Sequence, residues 1–156
     1  MIKLLRIDDR LVHGQVAMAW TPALGVDCLV VANDKVARDD FIKMTLNLAK
    51  PASARLLVKS IADTIAFLKD ERSKPLKLLV LVNSVADAHT LAQSLPEITS
   101  INFGGLRMRD GAKAVSRAIY LTDADITLVR TLLEKGTALE VRQVPTDKPT
   151  GLESLI

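Results

Sequence analysis

The sequence has few aromatic residues, a single cysteine and no long apolar run. Aromatic side chains make up 3% of its 156 residues, so the core has to be aliphatic, and the stacking platforms of single-strand nucleic-acid binders are missing. Cys28 cannot form an intrachain disulfide, which fits a reducing compartment. No run approaches the roughly 18–20 apolar residues that cross a bilayer, and Arg6, Asp8 and Asp9 interrupt the N-terminal segment too early for a signal peptide. We therefore expect a cytoplasmic protein.

The charge is mildly positive and spread along the chain. The 21 Lys and Arg residues exceed the 18 Asp and Glu residues, which gives a net charge of +3. Nucleic-acid-binding proteins usually gather their basic residues on one face, and because no such cluster is visible, no nucleic-acid partner is expected. A mild positive charge instead favours the approach of anionic or phosphorylated partners. Hydrophobic residues make up 49% of the chain, so residues 1–156 are interpreted as a single folded domain.

Strand-like apolar runs alternate with segments of helical spacing. Residues 78–82 are an unbroken run of Leu and Val, which is typical of a strand buried on both faces of a parallel sheet. Residues 139–144 alternate more between apolar and polar side chains, so this predicted strand is placed at an edge of the sheet. The predicted fold is α/β: an open, mostly parallel, doubly wound sheet of about six or seven strands, with helices on both faces and an antiparallel edge strand. The predicted strands are residues 2–7, 28–32, 55–58, 76–82, 98–103, 118–121 and 139–144.

The spacing of apolar residues also predicts amphipathic helices. Phe41, Met44 and Leu48 mark the apolar face of one of them. Three later helices are each preceded by a Ser or Thr with an Asp three positions further on, which is a capping pattern. These capping residues are Ser60, Ser84 and Thr122.

The most reactive residue types of the chain follow the first predicted strand. In an open α/β sheet, ligands bind where the carboxyl ends of strands meet helix N-termini. The first predicted strand ends at Ile7, and residues 8–15 read Asp-Asp-Arg-Leu-Val-His-Gly-Gln. We therefore expect a functional site in this segment.

His13 and Arg10 are the candidate catalytic residues of this loop. Near neutral pH an imidazole presents a nitrogen lone pair that can take up a phosphoryl group without a separate base. Arg10 provides a permanently charged planar fork that suits phosphate oxygens. Residue types alone leave two interpretations open: a phosphohistidine site, or a surface turn with local salt bridges.

Four neighbours are candidate supports for this site. Asp8 or Asp9 can accept a hydrogen bond from the imidazole or hold the arginine in place. Gly14 lets a phosphoryl group approach the backbone closely. A helix that begins near Gln15 would direct its N–H groups and its positive dipole end toward the same place.

A second loop follows the fifth predicted strand, which should end at the same edge of the sheet as the first. Asn102, Gly104 and Gly105 lie there and, with Arg107 and Arg109 behind them, can form a phosphoryl-binding backbone nest with a basic rim. The alternative is an ordinary glycine-rich turn.

Residues 6–16 read Arg-Ile-Asp-Asp-Arg-Leu-Val-His-Gly-Gln-Val, with Trp20 close behind. This string closely resembles the active loop of the IIB component of the mannose/fructose/sorbose family of the sugar phosphotransferase system (PTS). Residues 31–34, 102–105 and 141–145 resemble other segments of the same family, so the likeness extends over nearly the whole chain. Phe103 departs from it, since smaller aliphatic residues are more usual there.

The resemblance implies a cytoplasmic phosphoryl carrier that associates peripherally with a membrane transporter. A IIA protein or domain would phosphorylate His13, and the chain would pass the phosphoryl group to a sugar at the membrane IIC and IID components. Arg10 would bind the phosphoryl group. Asp8, Asp9 and Gln15 would support the loop. The resemblance implies no metal or nucleotide cofactor, and it leaves a homo-oligomer open.

Three other functions fit the sequence less well. A nucleotide-using enzyme would need a phosphate loop, and neither Gly-x-Gly-x-x-Gly after the first strand nor Gly-x4-Gly-Lys-Ser/Thr occurs. A histidine-phosphatase-type enzyme would need Arg in place of Val12 and a second active-site histidine, for which His89 is unsuited because it lies inside a predicted helix. A non-catalytic regulatory interaction module of the same fold is the remaining alternative, against which an intact Arg10 and His13 argue.

Overall fold

The chain forms nine strands and five α-helices, which the computed structural model describes over residues 1–156. The strands are β1 (Ile2–Asp8), β2 (Cys28–Ala32), β3 (Arg55–Lys59), β4 (Leu78–Val82), β5 (Ser100–Gly105), β6 (Lys113–Ala114), β7 (Tyr120–Leu121), β8 (Ala138–Val141) and β9 (Thr150–Gly151). The helices are α1 (Gly14–Leu24), α2 (Asp40–Ala49), α3 (Ile61–Lys69), α4 (Val85–Ser94) and α5 (Asp123–Glu134). None of these helices has the length and apolar character needed to cross a membrane.

Seven of the strands make one sheet in the order β3-β2-β4-β1-β5-β8-β9. Every neighbouring pair is parallel except β8 and β9, which are antiparallel. Strand β1 lies at the centre, where Ile7 pairs with Val82 of β4 and Phe103 of β5. The predicted mostly parallel α/β sheet with an antiparallel edge strand is confirmed, and its central strand leads directly into the loop of residues 8–15.

The helices cover both faces of this sheet, as the doubly wound prediction requires. Side chains of a strand alternate between the two faces, so Val30 of β2 belongs to one apolar cluster while Leu29 and Val31 belong to another. Helices α3, α4 and α5 pack on the larger cluster, and α1 and α2 pack on the smaller one. Helix α1 therefore crosses over the sheet directly after the loop.

The predicted capping residues begin the three later helices. The hydroxyl oxygens of Ser60, Ser84 and Thr122 each accept a hydrogen bond from the backbone N–H three residues further on. These bonds satisfy amide groups that the first helical turn leaves without a partner. The positions of these helix starts are confirmed.

The predicted apolar face of α2 is wrong. Phe41, Met44 and Leu48 are 72%, 57% and 81% exposed, whereas Leu46 is buried and Ile42 packs beside it in the smaller cluster. Apolar residues occur on several sides of this helix, and both sets have helical spacing, so periodicity alone could not select the buried side. The helix therefore presents a stripe of three large apolar side chains to solvent, which we call the α2 stripe.

Two of the predicted strands have different places from those expected. Residues 118–121 do not form a strand of the sheet. Ile119 makes only an isolated parallel bridge with Leu106, directly after β5, and Tyr120 and Leu121 pair with Lys113 and Ala114 in a two-stranded ribbon. Strand β8 is one position in from the edge, because the C-terminal segment returns as β9 and pairs with it. That return is anchored by Leu152, which is fully buried in the larger cluster.

Candidate active site

The loop after β1 is tightly turned at the centre of the sheet edge. The backbone N–H of Leu11 donates to the carbonyl of Asp8 at 2.9 Å. Leu11 itself has a φ of 59°, a left-handed conformation that is strained for a residue with a branched side chain. Its side chain is nevertheless buried, together with that of Val12. Apolar packing therefore holds the strained turn that carries the loop toward α1.

Asp8 is the buried centre of the site. One of its oxygens accepts hydrogen bonds from the Arg10 backbone N–H at 3.0 Å and from Arg10 Nε at 2.9 Å. The other accepts from Arg10 Nη2 at 2.9 Å and from Arg6 Nη2 at 3.2 Å. Asp8 thus fixes the plane of the Arg10 guanidinium, whose side chain remains 33% exposed. The sequence left two roles open for Asp8, accepting a hydrogen bond from the imidazole or holding Arg10, and this geometry corresponds to the second.

Arg6 belongs to the site but is not among the residues predicted from the sequence. Its side chain is 0% exposed, and Nη1 donates to Asn102 Oδ1 at 2.7 Å and to the carbonyl of Arg142 at 3.0 Å. Its guanidinium lies against Gly104, where a Cβ atom would be 2.0 Å from Arg6 Cζ. Asn102 and Gly104 therefore belong to the surroundings of Arg6, below the loop, and the signal for this was an arginine between two apolar residues, Leu5 and Ile7, of the central strand.

The ionisable groups of the site influence one another. Burial acts to raise the pKa of Asp8, but the hydrogen bonds from Arg10 and the positive charges of Arg6 and Arg10 outweigh it and lower the pKa below its ordinary value. Burial lowers the pKa of Arg6, and the charge of Asp8 partly opposes this. The hydrogen bond to Asp8 raises the pKa of Arg10. With two guanidinium groups around one carboxylate, the cluster keeps one net positive charge.

Trp20 of α1 packs on the buried side of this cluster. Its ring centroid is 5.7 Å from the guanidinium carbon of Arg6 and 5.0 Å from that of Arg142, distances at which a cation is attracted to an aromatic ring. The indole Nε1 donates to the carbonyl of Gln143 at 2.9 Å. Trp20 thereby ties α1 to the segment that follows β8.

His13 stands at the start of α1 as its N-cap residue, partly exposed. Its Nδ1 atom is buried and has no hydrogen-bond partner, and its side chain makes no capping bond. The backbone N–H groups of Gly14, Gln15 and Val16 make no hydrogen bond within the chain. The other four α-helices all have a capping side chain. The first turn of α1 therefore keeps its donors and its positive dipole end for another acceptor.

Asp9 connects the loop to the segment after β5. Its backbone N–H donates to the carbonyl of Gly105 at 2.9 Å, and its Oδ2 accepts from the backbone N–H of Arg107 at 2.7 Å and from Arg107 Nε at 3.2 Å. Arg109 instead pairs with Asp125 of α5. The basic rim predicted for this side is thus formed by Arg107, while Arg109 is directed elsewhere.

Of three further predicted supports, Gly105 adjoins the cluster of Asp8 and Arg10, whereas Gln15 and Gly14 make no side-chain contact with it. Gln15 is exposed on the first turn of α1, and its side chain forms no hydrogen bond. Gly105 is in ordinary contact distance of the cluster, since a Cβ atom there would be 3.6 Å from Arg10 Nη2 and from an Asp8 oxygen. Gly14 approaches α2, with a Cβ position 3.7 Å from the carbonyl oxygen of Ala49. The start of α1 and the end of α2 are therefore neighbours.

Comparison with known proteins gives consistent similarities. A family model described as "PTS system sorbose subfamily IIB component" matches residues 2–156. A probable phosphotransferase enzyme IIB component of Streptococcus pyogenes is 40% identical over 117 residues, which are 75% of this chain and 72% of that protein. The mannose-specific EIIAB component of the PTS of Escherichia coli is 34% identical over 156 residues. That match covers 100% of this chain but 48% of the length of the relative, so the chain corresponds to about half of that protein.

The fold is also similar to that of a solved structure. The IIBSor domain of the sorbose permease from Klebsiella pneumoniae superimposes with a TM-score of 0.94 and 28% sequence identity. The match covers 99% of this chain and 95% of that domain. The family model, the two sequence relatives and the solved structure therefore all carry IIB or EIIAB designations.

Proposed function

The chain belongs to the sorbose subfamily of PTS IIB components, and from this membership we propose that His13 is its phosphoryl-carrying residue. IIB components are phosphotransferase components of sugar phosphotransferase systems. The proposed cycle has two transfers. His13 takes a phosphoryl group from a phosphohistidine on a IIA partner, and then gives it to a sugar during uptake.

The observation that carries this proposal is the position of His13 at the start of α1, where three backbone N–H groups lack an acceptor. Phosphoryl oxygens are strong acceptors, and helix N-termini bind them through these amides and the helix dipole. Gly14 adds no side chain between the imidazole and the backbone. A phosphoryl group on His13 would therefore meet donors that nothing else in the chain uses.

Arg10 supplies the fixed positive charge. Asp8 holds its guanidinium through two hydrogen bonds, from Nε and Nη2, so little side-chain motion has to be lost when a phosphoryl group binds. An isolated Asp–Arg pair would be neutral, but Arg6 adds a second positive charge to the same carboxylate. The buried Arg6 thus leaves the charge of Arg10 available to the phosphoryl oxygens, in a role of electrostatic stabilisation.

Each transfer is a substitution at phosphorus between two positioned groups. In the first, the lone pair of a His13 nitrogen forms an N–P bond as the N–P bond of the donor histidine breaks, and the donor imidazole recovers its lone pair. In the second, a sugar hydroxyl oxygen forms an O–P bond, the N–P bond at His13 breaks, and the hydroxyl proton is released to a base. Alignment and charge neutralisation supply the catalysis.

The proposed partners follow from this cycle. They are a phosphorylated IIA protein or domain, the membrane IIC and IID components, and the sugar. Residues 1–156 would act as one IIB domain at the cytoplasmic face of the transporter. The uncompensated charge of the Arg10 cluster would assist the approach of a phosphorylated donor, which is anionic.

The proposal is tested by reconstituting the donor chain from phosphoenolpyruvate, the two general carrier proteins and a matched IIA partner. Intact mass and peptide mapping should find one acid-labile phosphoryl group, on the peptide that contains His13. A phosphoryl group on the peptide of His89 would refute the site. If no matched IIA donor gave any transfer, the alternative of a non-catalytic interaction module would be favoured.

A further inference from the structure

A second cleft opens at the same edge of the sheet as the active site. It has a volume of about 370 Å³ and lies between the segment after β8 and the loop that joins β6 to β7. Its walls include the side chains of Ser116, Arg117, Arg142 and Lys148, and no residue of the loop 8–15 lines it. The proposed transfer at His13 gives this cleft no role.

Two hydrogen-bond donors in the wall of this cleft have no acceptor. Ser116 Oγ and Arg142 Nε are both buried and unpartnered. Buried polar groups in folded proteins are nearly always hydrogen-bonded, so the two unpartnered donors on these wall residues favour a ligand that brings acceptors. Arg142 cannot turn away freely, because its Nη2 atom pairs with Glu140 at 3.3 Å and its guanidinium stacks on Trp20.

The charges of the cleft favour an anion. Arg117 and Lys148 are exposed at its rim and form no ion pair. The one carboxylate in the wall, Asp147, accepts a hydrogen bond from the backbone N–H of Val144 at 3.3 Å. A hydroxyl, a fixed guanidinium and two further cations form the donor set that phosphate oxygens require. The volume exceeds that of a phosphate ion and leaves room for an attached organic group.

We propose that this cleft binds a small phosphate monoester, with the phosphate group held by Ser116, Arg117 and Arg142 and its charge further balanced by Lys148. This site is separate from the phosphoryl site: Trp20, which touches Arg142, is seven residues beyond His13, or about 10 Å along α1. The two sites share a connection, because Arg6 donates to the carbonyl of Arg142 and both arginines face Trp20.

Trp20 provides the measurement, since it is the single tryptophan of the chain and lies against Arg142. The fluorescence of full-length protein is titrated with glucose 6-phosphate, with inorganic phosphate and with glucose, at constant ionic strength, and calorimetry repeats each titration. The protein carries His13→Ala, so binding does not depend on phosphoryl transfer through that residue. We expect saturable binding of glucose 6-phosphate and no binding of glucose.

Variants locate the site. Ser116→Ala and Arg117→Gln should each weaken the binding of glucose 6-phosphate, the arginine variant by about tenfold, because a charge-assisted hydrogen bond is lost. Arg72→Gln is the matched control: it removes the same charge from an exposed arginine that pairs with Asp70 outside the cleft, and it should leave the affinity unchanged. Arg10→Ala should also leave it unchanged, since the phosphoryl site is not involved.

Several outcomes would overturn the proposal. Absence of saturable binding in both fluorescence and calorimetry would do so, as would equal weakening by Arg72→Gln and Arg117→Gln, which would indicate general charge attraction. Loss of binding in Arg10→Ala alone would place the anion at the active site. Binding of inorganic phosphate without glucose 6-phosphate would exclude a monoester. Binding of both, weakened by Ser116→Ala and Arg117→Gln, would support the phosphate contacts as described.

Discussion

The guanidinium of Arg6 fills the space that a side chain at Gly104 would need. A Cβ atom at that position would lie 2.0 Å from Arg6 Cζ and 2.1 Å from Nη2, well inside any permitted contact. The arginine cannot move aside without losing its bonds to Asp8 and Asn102. A glycine on β5 is therefore a condition for the buried charge beneath the proposed active site.

Gly104→Ala should destabilise the protein strongly. The added methyl group displaces Arg6 and breaks its buried hydrogen bonds, so we expect the free energy of unfolding to fall by about 2–4 kcal/mol. Gly105→Ala is the matched control, because a Cβ atom there meets its nearest neighbour at 3.6 Å, and it should cost less than about 1 kcal/mol. Urea unfolding measures both values. Equal losses in the two variants would show that Arg6 can relocate.

His13→Ala should abolish phosphoryl uptake without changing the fold. The imidazole makes no capping bond and no other hydrogen bond, so the free energy of unfolding should change by less than about 0.5 kcal/mol. His89→Ala, on α4, removes the other histidine of the chain and should keep full uptake. Measurement of the intact mass after incubation with the donor chain shows whether each variant has taken up a phosphoryl group. Phosphorylation retained in His13→Ala would refute the assignment.

Arg10→Ala should slow phosphoryl transfer by roughly 10- to 100-fold while His13 remains available. It should also lower the free energy of unfolding by about 1–3 kcal/mol, because buried Asp8 loses the two hydrogen bonds from the Arg10 side chain. Arg10→Lys should restore part of the rate, since it returns the charge without the planar fork. Arg130→Ala, at an exposed position of α5, is the control. Single-turnover transfer at wild-type speed in Arg10→Ala would remove this residue from the mechanism.

The stability of the protein should fall in acid partly through Asp8. Its pKa is held below the ordinary value of 3.8, so the ionised carboxylate stabilises the fold at neutral pH. This contribution is complete above the unfolded pKa and is lost as the pH falls through the lower, folded pKa. Asp8→Asn should therefore be less stable at pH 7 and lose less on acidification. Urea unfolding from pH 7 to pH 3 tests this against the exposed control Asp40→Asn, which should follow the wild-type curve.

The α2 stripe should contribute to docking of the IIA donor. Helix α2 ends beside the start of α1, and a partner interface of about 800 Å² centred on His13 would extend over it. Phe41→Ser and Leu48→Ser, at 72% and 81% exposed positions, should raise the KM for phosphorylated IIA several-fold with kcat unchanged. Ala62→Ser, an exposed position on the opposite face of the sheet, should leave both constants unchanged. An unaltered KM in the two stripe variants would place the donor elsewhere.

The sheet and most helix starts could be predicted because they depend on local signals. The unbroken apolar run of β4 identifies a strand buried on both faces, and the Ser or Thr residues before α3, α4 and α5 supply their caps. The prediction of a functional site in the loop 8–15 rests on the same kind of signal, because its residue types directly follow the central strand.

The features that could not be predicted depend on contacts between distant residues. Arg6 is buried because Asn102, Gly104 and the carbonyl of Arg142 surround it, and all three are far away in the sequence. The edge position of β9 depends on the burial of Leu152. The exposed side of α2 is decided by how that helix rests on the sheet, which its own spacing of apolar residues does not specify.

Among the five α-helices, α1 alone starts without a capping side chain, and His13 occupies the place of the cap. A phosphoryl group on His13 would supply the missing acceptor, and it would act as a helix cap that is present only in the phosphorylated form. The phosphorylated form should then melt at a higher temperature than the empty one, and each discharge to sugar would loosen the first turn of α1. Differential scanning calorimetry of the two forms would thus detect phosphorylation of His13 as a rise in the melting temperature.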